Sequence, residues 1–174
     1  MKQQQQNKTK PGKWFYLYCD VYDVRIVMYI GDPKEYAKNG GEKFLKKHFD
    51  KDHKKIINDI NDSIRESNDS LGWCSSIVHN KKQSIIIFLQ KLNFSDIEDF
   101  GTFIHECLHA ALDIAIPKEV VERNQESHNE GFVYLYEWIT KEFLKLIRKD
   151  TKNESIHTNR INKGRNNRQA TKRC

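Results

Sequence analysis

The sequence predicts an α+β domain, on three observations. Two runs dense in aromatic and β-branched residues, "WFYLYCDVYDVRIVMYI" and "WCSSIVHNKKQSIIIFL", have the composition of strands. The stretches between and after them repeat apolar residues at helical spacing, and both ends of the chain are polar with nothing to bury. With 174 residues the chain suits one ordinary domain and is too short for two full-sized ones. We therefore expect a polar N-terminal tail over 1–13, one compact domain over 14–150 and a basic C-terminal tail over 151–174.

In chain order, Trp14 to Cys19 and Val24 to Ile30 read as two strands of a hairpin that stops at Gly31-Asp32-Pro33. From Glu42 the residues Phe44, Leu45, Phe49, Ile56, Ile57, Ile60 and Ile64 recur at spacings of three, four and seven, which predicts one long amphipathic helix. After "SNDSLG", the runs "WCSSIVH" and "SIIIFLQ" flank the polar turn "NKKQ" and predict a second hairpin, with Ser84 to Leu89 well buried. The sheet is expected to be small, mixed or antiparallel.

Ser95 and Glu98 fit a capping box that opens a helix, and Pro117 marks its far end. A further helix follows, with Phe132, Leu135, Ile139, Phe143, Leu146 and Ile147 at helical spacing.

Composition narrows the function. The four cysteines, Cys19, Cys74, Cys107 and Cys174, form no Cys-x-x-Cys pair, so a thiolate zinc site and a dense disulfide framework are both unexpected. "MKQQQQNKTKPGK" lacks the apolar stretch of a signal peptide, and no segment runs 18 apolar residues, so a cytoplasmic protein with no membrane contact is expected. The +6 net charge gathers in the C-terminal tail, where Lys152, Arg160, Lys163, Arg165, Arg168, Lys172 and Arg173 face the lone acid Glu154. That tail is a candidate for nucleic-acid phosphates or an acidic protein surface, with no aromatic residue among its cations for base stacking.

The chemistry concentrates in "FIHECLHAAL". His105 and His109 lie four apart on the helix, so both imidazoles project from one face and reach one ion. Glu106 lies beside the first histidine, where it would take the proton of a metal-activated water. Cys107 is turned off that face and reads as a small buried residue. A hydrolytic zinc needs one more protein ligand and keeps one position open. Downstream, "NQESHNEGFVYLYEW" offers Glu126, His128 and Glu130.

With these residues the chain resembles zincin metallopeptidases of the glutamate-ligand class, in which a glutamate from the following helix completes the zinc site. Thermolysin-like members present that ligand as an Asn-Glu pair some twenty-odd residues past the HExxH. Asn129-Glu130 falls 25 positions after His105, so the resemblance implies Glu130 as third ligand, with His128 and Glu126 as substitutes. Glu130 also fits a capping box with Ser127, a purely structural role.

The chain is similar as well to small zincin-like proteins of phages and prophages, whose strand, HExxH helix and Glu-x-x-x-Tyr-Leu helix correspond in order to residues 84–140, ending in Glu130, Tyr134 and Leu135. Where thermolysin-like enzymes carry an aspartate that orients a ligand histidine, this chain has Tyr134. The resemblance implies a compact zincin-like domain, Zn2+ as cofactor and a zinc-dependent metallopeptidase. Its substrate would be a peptide or protein held along an edge strand, for which Ser84 to Leu89 is the candidate. Tyr134, with Tyr136 or His128 as substitutes, would steady the oxyanion. A fold does not certify an activity, so the alternative is a virion or assembly protein that keeps the zincin fold, its tails ordered by partner chains.

Overall fold

The structure, a computed structural model, describes residues 12–49, 52–66, 70–79, 82–117 and 130–170, with the backbone alone over 152–170. Strands β1 (Lys13–Cys19) and β2 (Val24–Ile30) pair antiparallel from Lys13↔Ile30 to Cys19↔Val24, the hairpin expected from their β-branched and aromatic residues. Asp23 closes its turn at φ 51, a left-handed conformation that aspartate tolerates, and accepts a 2.7 Å hydrogen bond from Tyr18 Oη.

The long helix expected from Glu42 onward is two helices, α1 (Gly41–Phe49) and α2 (His53–Glu66). Residues 50–55 are all polar, so for more than a turn nothing would be buried by a continuous rod. At the break, Asp52 Oδ1 lies 2.6 Å from His79 Nδ1 at the far end of β3.

Strands β3 (Gly72–His79) and β4 (Lys82–Leu89) form the second hairpin, and β4 also pairs parallel with β2, giving the order β1-β2-β4-β3 in one mixed sheet. This corrects the edge assignment made for Ser84 to Leu89. That strand is interior because it is apolar on both faces, as strands covered on both sides are. Ile85, Ile87 and Leu89 join the core under α3 and α4, whereas Ile86 and Phe88 join the core under α1 and α2. The outer strands are β1 and β3, and β3 mixes Ser75, Ser76 and an exposed Val78 with buried Ile77.

Helix α3 (Ile97–Ala115) is capped by Asp96, whose carboxylate accepts from the amides of Glu98 at 3.0 Å and Asp99 at 3.2 Å. The cap is thus one residue later than the Ser95 and Glu98 box, because the Ser95 amide is already bound by Asn93 Oδ1 in the preceding turn. Buried Asp99 ties the entry loop down, accepting from the Asn93 amide at 3.1 Å and pairing with Lys91 at 3.0 Å. The helix ends just before Pro117, as expected.

Helix α4 (Glu130–Ala170) buries Leu135, Ile139, Phe143 and Ile147 against α3 and β1. Lys13 Nζ meets Asp150 Oδ2 at 2.6 Å, so the first strand and the end of the packed part of α4 close on each other. The stretch from 151, expected as a tail, is helical as far as Ala170. Among the described residues no helix is long and apolar enough to cross a membrane.

Candidate metal centre on the third helix

Helix α3 turns Phe103, Cys107, Ala110, Ala111, Ile114 and Ala115 to the sheet and α4. Those positions recur at three and four, and the alanines let the backbone come close. Docking that stripe leaves His105 and His109 on the exposed side. Their Nε2 atoms are 2.9 Å apart with the rings nearly perpendicular, a hydrogen bond in which one neutral ring donates to the other.

A cation bound at about 2.0–2.1 Å to each nitrogen in tetrahedral geometry would set them about 3.3 Å apart. That spacing is about 0.4 Å wider than the observed contact. Among the described residues no group of three or more His, Cys, Asp or Glu side chains comes together to hold an ion. Glu130 is exposed as the first residue of α4, and it forms no such group with the pair. Glu126 and His128 lie outside the described residues.

Glu106 lies about 100° round the helix from His105 and about 60° from His109, on the side turned inward. It is 5% exposed and turned toward β3, and burial holds its carboxyl above the usual range, partly offset by His105 and His109. Among the described residues its carboxylate makes no hydrogen bond or ion pair, so nothing structural consumes it. A buried acid with a raised pKa beside two convergent histidines is the electrostatic pattern of a general base.

Two neighbours come from places that local sequence spacing does not connect, and a third, Asp113, lies one turn further along α3 itself. Gly72 opens β3 directly against α3: a Cβ there would lie 2.7 Å from Thr102 Cγ2, 3.0 Å from Leu89 Cδ2 and 3.1 Å from Glu106 Cγ. Gln83, buried, donates from Nε2 to Ser76 Oγ at 3.0 Å and to the Asp113 carbonyl at 2.7 Å, fastening β3, β4 and α3 together. Asp113 follows His109 by one turn, its carboxyl raised by burial and lowered by His109. An aspartate within electrostatic reach of a candidate ligand was sought at the position of Tyr134; one stands instead on the HExxH helix itself. The spacing His105, His109, Asp113, each four apart, was the available signal.

Cys74 and Cys107 are both pushed up by burial, Cys107 to about 12, which makes them inert at neutral pH. Tyr134 is 66% exposed on the first turns of α4, outside the core, whereas Tyr136 packs partly against it.

No protein-family model matches this chain, and no curated protein or solved structure matches it either.

Proposed function

We propose that the chain is a zinc-dependent hydrolase of peptide bonds. The observation that carries this is the convergence of the His105 and His109 nitrogens at 2.9 Å, with Glu106 buried beside them and its carboxyl raised. His105 and His109 would be two ligands; the third, Glu130 on the strength of the resemblance, starts α4 and would have to move to join them, since among the described residues the three form no group. Zinc held by this donor set supplies Lewis acidity, lowering the pKa of a water and polarising a carbonyl.

The chain's own residues do the rest. Glu106 accepts the proton of the attacking water on its carboxylate and delivers it to the leaving amine. Its dry surroundings keep its proton affinity nearer neutrality than that of a solvated glutamate, which suits it to both halves of that transfer. Asp113 orients the His109 ring, and Tyr134, exposed on α4, steadies the oxyanion. An extended peptide lies along the outer edge of β3, the strand whose first residue touches the Glu106 stem.

Cleavage of a fluorescently quenched, unstructured peptide in the presence of zinc tests this. The parent should turn over substrate and lose activity with chelator, and Glu106→Gln should lower kcat by about 10²-fold or more while retaining zinc. Equal turnover by parent and Glu106→Gln would overturn the hydrolase and leave the fold as a scaffold for an assembly.

A further inference from the structure

The positive charge of this protein is not spread over its surface. From residue 148 to the C-terminus there are nine Lys and Arg against Asp150 and Glu154, a surplus of seven. The whole chain has a surplus of six, so residues 1–147 taken together are acidic by one. The helical part of this charge lies on α4 at and beyond Arg148, past the last of its buried apolar residues among those described, Ile147.

Helical geometry arranges it further. Leu135, Ile139, Phe143 and Ile147, one turn apart, mark the side of α4 that packs on the body, and that buried stripe stops at Ile147. At about 100° per residue, positions 148, 149, 152, 160 and 163 fall within an arc of about 120° on the side away from that stripe, whereas Arg165 and Arg168 fall on the stripe's own side. All five are Lys or Arg. Asp150 and Glu154, the acids of this stretch, fall on the opposite side, in line with the buried stripe. Arg148 and Lys149 are exposed and make no ion pair among the described residues, unlike Lys141 and Lys145 a turn or two earlier, which are paired with Glu137 and Glu142.

We propose that this face of α4 is a docking surface for duplex nucleic acid, gripping its phosphate backbone without reading sequence. Five cations along about 22 Å of helix oppose a polyanion that offers a phosphate every few ångströms, and their neutralisation releases counterions. Asn153, Asn159, Asn162, Asn166 and Asn167 add amide donors suited to phosphate and sugar oxygens. A membrane surface fits less well, because a helix lying in the interface needs a broad apolar face and this stretch has only Ile156 and Ile161. A single strand fits less well because residues 148–174 contain no aromatic side chain on which bases would stack. This surface is separate from the histidine pair and does not depend on a metal being bound there.

The test is fluorescence anisotropy of the full-length chain with a labelled 25-base-pair duplex across a salt series. Binding at about 10⁻⁵ M in low salt is expected, with log K falling against log salt at a slope of about −3 to −4.5, as three to five neutralised phosphates require. The charge-reversed variant Lys152→Glu, Arg160→Glu, Lys163→Glu should bind at least about tenfold more weakly and lose about 2.7 from the slope. A variant with the same change in net charge on the other layer, Lys46→Glu, Lys47→Glu, Lys54→Glu, should stay within about twofold of the parent; unchanged melting of both variants controls for folding. Absent binding in low salt, equal binding by the helix variant, an equal loss in the control variant, or tighter binding to phosphatidylserine vesicles or to polyglutamate than to the duplex would each overturn the proposal.

Discussion

Glu106 is a buried carboxyl whose surroundings oppose its charge, and its neighbour His105 stands in solvent one position away. In the folded chain its pKa lies above that of the unfolded chain, so ionisation penalises the native state at pH values above the unfolded pKa, about 4.3. That penalty is relieved as pH falls through the raised folded pKa. Metal-free Glu106→Gln should therefore melt higher than the parent at pH 7, and the gap should close toward pH 4. A thermal-denaturation series at several pH values reads this directly; a variant less stable than the parent at pH 7 contradicts it. Gly72 is constrained by the space available for a side chain: Gly72→Ala puts a methyl carbon 2.7 Å from Thr102 Cγ2, within reach of Leu89 and the Glu106 stem. Forcing α3 away from β3 should cost about 1–3 kcal/mol in denaturant unfolding. Cys107, its thiol pushed up to about 12 by burial, should resist iodoacetamide at pH 8 until denaturant is added, as peptide mapping of the alkylated protein would show.

Among the elements, α3 depends on its start. Asp96→Ala removes the acceptor for two first-turn amides and should cost about 1 kcal/mol, or about 2–4 °C of melting temperature, with little change in the backbone elsewhere. The elements differ in how much of them local sequence discloses. Both hairpins were legible to within a residue or two, because alternating β-branched and aromatic residues and short polar turns are local signals. The division of α1 from α2 was not, since Phe49 and Ile56 keep a spacing of seven across the polar break and periodicity alone carries straight through. The interior place of β4 depends on its parallel pairing with β2, a contact between residues about 60 apart. Its run of Ile85, Ile86, Ile87 and Phe88, apolar on both faces, was the available hint.

At the scale of the whole molecule, two helix layers enclose a mixed sheet, with the histidine pair on the outside of one layer and the basic end of α4 leading away from it. The HExxH was legible because ligands four apart on one helix need no tertiary information. Gly72 and Gln83 became visible only when α3 was laid against β3 and β4, whereas Asp113 stands four residues from His109 on the same helix. Glu130 came from resemblance to a family and not from local spacing, and it is the proposed ligand that most needs a direct test. Elemental analysis of protein purified without added metal, beside His109→Ala and Glu130→Ala, puts the question most simply. One zinc per chain in the parent, lost in His109→Ala and weakened in Glu130→Ala at unchanged helical content, is the predicted result. A parent that carries no zinc and takes none up from micromolar solution would contradict the account.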